Sequence, residues 1–143
     1  MINDKTVLVV IPARGGSTRL KRKNIYPVAG RPMIYWGIKA CLESEYIDKV
    51  VVSTEDAEIK NVVEGFEAGY TVSVLDRPKE LADNFTFKQD AIVHAVENSE
   101  KHDIVISLQA NSPEVRPEDL DRALKKFIEF DRNELISVDA KLI

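Results

Sequence analysis

Lys5-Thr6-Val7-Leu8-Val9-Val10-Ile11, followed directly by Pro12-Ala13-Arg14-Gly15-Gly16-Ser17-Thr18-Arg19-Leu20-Lys21-Arg22-Lys23-Asn24, decides how this chain folds. From Val7 to Ile11 the run is apolar without alternation and rich in β-branched side chains, as expected of a strand covered on both faces of a parallel sheet. The segment from Ala13 to Asn24 is dense in glycine and charge and reads as a long loop at that strand's C-terminal end. Open α/β sheets bind ligands at that end.

The pattern repeats downstream. Pro32 to Ser44 places Met33, Trp36, Ile38, Ala40, Cys41 and Leu42 on a largely helical pattern, with Pro32 suited to a first turn. Lys49 to Ser53 is a second β-branched run, and a helix opening at Thr54 or Glu55 carries Ile59, Val62, Val63 and Phe66 at helical spacing. Thr71 to Leu75 predicts a third strand, Asp76 to Phe85 a surface loop, and Phe87 to Asn98 a helix. Asp103 to Leu108 predicts a fourth strand, Pro117 to Phe130 an amphipathic helix with acids in its first turn, and Glu134 to Val138 the start of a last strand. Strands alternating with helices predict an α/β fold, three-layer α/β/α on a mainly parallel sheet, with residues 1–143 as a single domain.

Composition narrows the function. At 143 residues, 44% hydrophobic and 31% charged, the chain has the balance of an ordinary globular domain. Its apolar runs are far shorter than the roughly 20 residues a membrane helix needs, so the expectation is a cytoplasmic protein with no membrane partner. The net charge of -4 argues against a nucleic-acid partner, which requires clustered positive charge. The lone cysteine, Cys41, has no disulfide partner and reads as a packed core thiol. Basic residues nevertheless gather at Arg14, Arg19, Lys21, Arg22, Lys23 and Arg31, which suits a small polyanion such as phosphate.

In the loop after the first strand each residue type has a physical use. Gly15 and Gly16 let the backbone turn and bring its N–H groups close to phosphate oxygens. Arg14 can grip two oxygens at once, Lys23 is a compact point charge, and Ser17 and Thr18 add neutral donors. The loop lacks the Gly-x-Gly-x-x-Gly of dinucleotide folds and the Gly-Lys-Ser/Thr ending of a P-loop. As bare composition, a basic loop is read equally well as solvated surface.

Ile11-Pro12-Ala13-Arg14-Gly15-Gly16-Ser17, with Lys23-Asn24 further on, resembles the first motif of the acylneuraminate cytidylyltransferases, the CMP-sialic acid synthetase family. Gly30-Arg31-Pro32-Met33-Ile34 resembles that family's turn into its first helix, and Val51-Val52-Ser53-Thr54-Glu55-Asp56 its strand ending in a Ser-Thr-Asp type turn. Arg77-Pro78-Lys79-Glu80-Leu81-Ala82 and Gln109-Ala110-Asn111-Ser112-Pro113 resemble two later segments. The resemblance implies the nucleotide-diphospho-sugar transferase, Rossmann-like type of fold. It also implies transfer of CMP from CTP to a sialic-acid-like sugar acid with release of pyrophosphate, Mg²⁺ as cofactor, and homodimers as an assembly to test.

It further implies catalytic roles for Arg14 and Lys23, and nucleotide contacts for Ala13, Gly15, Gly16, Ser17, Thr18, Asn24, Arg77 and Gln109, with Arg77 near the base. Thr18 stands where most members have lysine, and Arg19 is the nearest replacement cation. Asn111 stands where related Kdo cytidylyltransferases have a metal-binding aspartate, so the metal ligands stay unassigned. The match covers the family's nucleotide-binding part, without its C-terminal segment for the sugar and for dimerisation. A non-catalytic nucleotide binder and a nucleotidyltransferase for another sugar and base are the alternative readings. His94 and His102, lacking partner spacing, read as structural, and Trp36 as helix core.

Overall fold

A computed structural model describes residues 1–16, 23–66, 69–81, 88–131 and 134–135. The first strand, β1 (Val7–Pro12), is buried along almost its whole length. A two-residue-per-strand hairpin follows, β2 (Pro27–Val28) with β3 (Arg31–Pro32), and leads into helix α1 (Met33–Glu43). Then come β4 (Lys49–Thr54), α2 (Ala57–Glu64), β5 (Val72–Asp76), α3 (Lys88–Glu97), β6 (Ile104–Ser107) and α4 (Pro117–Glu129).

The main sheet has four strands in the order β5-β4-β1-β6, and every pairing is parallel. Val9 of β1 lies beside Val50 of β4 on one side and Ile106 of β6 on the other. Alternation along β1 sends its side chains to two different cores. Val9 and Ile11 pack with Ile34, Ile38 and Cys41 of α1, Ile59 and Val63 of α2, and Leu120 of α4. Val7 joins Ile104 and Leu124 at the lower end of the same face. Leu8 and Val10 face the other way, onto Ala95 and Ile92 of α3. The strand is therefore covered on both sides, the condition its unbroken apolar run predicted.

This arrangement places the site. After β1 the chain turns towards β4 through α1, whereas β6 is reached from β5 by α3, which crosses the opposite face of the sheet. The connection leaving β1 and the one entering β6 thus lie on opposite faces and run to opposite sides of β1, and the crevice between the C-terminal ends of β1 and β6 is the sheet's topological switch point.

Several expectations need correction. Helix α2 opens later than Thr54 or Glu55: Thr54 ends β4, and Asp56 caps the helix by accepting the N–H groups of Glu58 at 2.9 Å and Ile59 at 3.0 Å. An aspartate here satisfies two amides that the first helical turn leaves unbonded. Trp36 is half-buried, and its indole N–H donates to the carbonyl of Val28 at 2.8 Å, so it staples the β2–β3 hairpin to α1. That hairpin was not foreseen; its turn, Ala29-Gly30, takes positive φ at both residues, the geometry that matches strand twist in a tight hairpin. Of the strand expected over Glu134–Val138, Glu134 and Leu135 lie in no strand, and residues 136–138 lie outside the described residues. No helix among the described residues is long and apolar enough to cross a membrane.

Candidate functional site

Beyond β1 the backbone stays in register for one more residue. Ala13 is fully buried and its N–H donates to the carbonyl of Ser53 at 2.8 Å. Ala13 therefore sets where the loop departs and keeps only its carbonyl available to a ligand. Arg14 and Gly15 are half-buried, and Gly16 is exposed with open space where a side chain would stand.

The far end of the loop returns to the same point. Lys23–Ile25 forms a single 3-10 turn, closed by the Tyr26 N–H bonding the carbonyl of Lys23 at 3.2 Å. Buried Asn24 donates its side-chain amide to the carbonyl of Arg14 at 3.0 Å. The loop thus has a clamped neck, with Arg14 and Lys23 on its two sides. Ser17 and Thr18, with Arg19, Lys21 and Arg22, lie outside the described residues.

Gly15 is fixed from β4. Its N–H donates to Oε1 of Glu55 at 2.7 Å, and a Cβ built on it would lie 2.2 Å from Oδ2 of Asp56. Only glycine fits against that carboxylate. The other Glu55 oxygen, Oε2, accepts from Nη2 of Arg77 at 3.3 Å. Arg77 follows β5, and its backbone N–H bonds the carbonyl of Thr54 at 2.9 Å. Its guanidinium is buried, and its Nε–H finds no acceptor among the described residues.

On the other side of β1, the N–H of Leu108 bonds the carbonyl of Val10 at 3.0 Å, so Gln109 sits at the adjoining strand end with its side chain exposed. Ala110 is buried and Asn111 exposed beside it. The expected residues therefore gather on one edge of the sheet: Arg77 after β5, Ala13 to Gly15 after β1, and Gln109 after β6. Glu55, between the first two, was read as part of a turn or as a helix opening and not as a site residue. Its signal was a carboxylate immediately after a buried strand, on the end of the sheet where ligands bind.

Other polar residues belong to the scaffold. His102 Nδ1 lies 2.8 Å from the carbonyl of Glu100, and His94 sits in α3. Cys41 is buried, and that burial pushes its thiol up to about 12, well out of the reactive range. Asp119 accepts the N–H of Arg116 at 3.2 Å and so helps cap α4. No three His, Cys, Asp or Glu side chains among the described residues converge as a metal cage.

Comparison with known proteins agrees with this geometry. The family model described as cytidylyltransferase matches residues 8–137. The chain is 35% identical over 126 residues to a pseudaminic acid cytidylyltransferase of Campylobacter jejuni, covering 85% of this chain and 53% of that protein. It is 31% identical over 107 residues to the N-acylneuraminate cytidylyltransferase of Escherichia coli, covering 75% of this chain and 25% of the relative. Among solved structures, a CMP:2-keto-3-deoxy-manno-octonic acid synthetase complexed with CTP superposes with a TM-score of 0.73 at 29% identity, over 87% of this chain and 48% of that one. The chain spans about half the length of the first of these relatives. With the family model covering nearly all of it, and the strand, loop and switch point where such a fold holds them, this chain belongs to the cytidylyltransferase family.

Proposed function

We propose that this chain binds CTP with the loop after β1 and serves the transfer of CMP to a sialic-acid-like sugar acid, releasing pyrophosphate. The observation that carries this is the clamped neck of the loop, Asn24 bonded to Arg14, at the sheet's switch point. The names of the relatives, which include three different sugar acids, support the reaction class without choosing among acids.

The sugar-acid hydroxyl oxygen attacks the α-phosphorus, the bond from that phosphorus to the bridging oxygen breaks, and pyrophosphate departs. Proton loss from the hydroxyl completes the balance. Positioning and charge neutralisation are what the protein supplies to such a reaction. Arg14 and Lys23, on either side of the neck, neutralise charge growing on the α-phosphate and the leaving group. Gly16, Ser17 and Thr18 supply donors to the remaining phosphate oxygens, while Arg77 and Gln109 meet the base and ribose from either side. Mg²⁺, when bound, would add to that charge neutralisation; no three His, Cys, Asp or Glu side chains among the described residues converge to hold it. A soluble nucleotide substrate supports reading the protein as cytoplasmic.

Calorimetry with CTP, UTP, GTP and ATP, with and without Mg²⁺, tests the binding half: CTP should bind tightest. Pyrophosphate release on adding CTP and N-acetylneuraminate tests the transfer half. CTP binding without pyrophosphate would leave a nucleotide-binding module, and preference for another base would refute the cytidylyl assignment.

A further inference from the structure

Glu55 is the group that joins the two halves of the site. It stands just past the C-terminal end of β4, between the ends of β1 and β5. One carboxylate oxygen takes the Gly15 N–H at 2.7 Å and the other takes Arg77 Nη2 at 3.3 Å. Both side chains are withdrawn from water, Glu55 being 15% exposed and Arg77 5%.

Burying such a pair is a poor way to gain stability. The desolvation cost of two charges offsets most of their attraction, and packed apolar side chains would do as well for the fold. What the pair does give is direction: a carboxylate with its two oxygens engaged by two different elements fixes both. Gly15 is held in addition by the Asp56 carboxylate filling the space beside its Cα. Arg77, held by Nη2, keeps a buried Nε–H without an acceptor among the described residues, so the pair with Glu55 is what orients its guanidinium there.

We propose that Glu55 is a positioning residue that couples the phosphate loop to Arg77, so that the nucleotide's triphosphate and base are received by one preset frame. This rests on the CTP reading above. A ligand that touches only the loop should sense one arm of Glu55, and a ligand that spans the site should sense both.

The test compares CTP with inorganic tripolyphosphate on the wild-type chain, Glu55→Gln, Arg77→Lys and the double variant, by calorimetry. Glutamine matches the shape of glutamate but presents one acceptor oxygen and one NH₂, so it can accept from Gly15 or from Arg77 and not from both. Glu55→Gln and Arg77→Lys should each weaken CTP by about tenfold or more, as loss of a hydrogen bond to a charged group implies. The double variant should be no weaker than the worse single one, and Arg77→Lys should weaken tripolyphosphate less than it weakens CTP. Additive losses, or equal losses for both ligands, would mean that Glu55 only supports the fold and would overturn the proposal.

A second readout avoids any change at Glu55: the Gly15 amide resonance should move in Arg77→Lys, and an unmoved resonance counts against coupling. Wild-type protein that fails to bind CTP takes down the function and this inference together. Wild-type binding with additive variants takes down the inference alone.

Discussion

At the scale of single residues, the site depends on close approach more than on charge. Gly15 lies against the Asp56 carboxylate at a separation that no Cβ tolerates, and that same aspartate caps α2. Gly15→Ala must therefore push the loop off β4 or uncap the helix. A lost N-cap alone costs about 1 kcal/mol. We expect a lower melting temperature together with loss of CTP binding, whereas Gly16→Ala, which meets open space, should leave stability unchanged. Calorimetric melting of the two variants checks this, and equal stability would mean that the loop is not pinned where we describe it. Gly15, Gly16, Arg14, Lys23 and Asn24 were legible as a set because their types and order form a motif. The bond from Glu55 to Gly15 was not, since it spans forty residues and depends on which strands lie side by side.

At the scale of elements, β1 explains why so much of the fold was readable. Its five-residue apolar run allows no exposed face, and the structure covers both. Helix α1 depends on that burial: Ile38 is fully buried against the sheet. Ile38→Ala should cost about 2–5 kcal/mol, the range for truncating a buried aliphatic side chain. Urea unfolding measures it, and a loss well under 1 kcal/mol would contradict the assigned packing.

The junction between Thr6 and Asp103 adds a pH term. Hydrogen bonds from the Thr6 N–H at 2.8 Å and its hydroxyl at 3.1 Å hold the Asp103 carboxyl below the ordinary aspartate range. A depressed folded-state pKa contributes stability above the unfolded value and loses it as pH falls through the folded one. Wild-type should therefore exceed Asp103→Asn in melting temperature at neutral pH, with the gap closing under acid. A gap that stays constant with pH would exclude this contribution. Element ends were the less legible part. Thr54 and Glu55 read as helix because Ile59, Val62 and Val63 carry the helical period, but Asp56, as a better cap, sets the start at Ala57. The β2–β3 hairpin escaped because two residues per strand leave no period to detect; Gly30, between Val28 and Arg31, was its one trace.

At the scale of the whole molecule, the strand order β5-β4-β1-β6 turns separate sequence segments into one edge. Arg77, Glu55, the loop from Ala13, and Gln109 follow four neighbouring strands at their C-terminal ends. The central claim is that the loop anchored between Arg14 and Asn24 holds a polyphosphate chain. Its most direct test is calorimetric titration of inorganic tripolyphosphate into the wild-type chain and into Arg14→Ala and Lys23→Ala. Binding in the wild type, weakened about tenfold or more in each variant without loss of melting temperature, is the predicted result, as removal of a charge-assisted contact implies. Affinity unaffected by either substitution would contradict it.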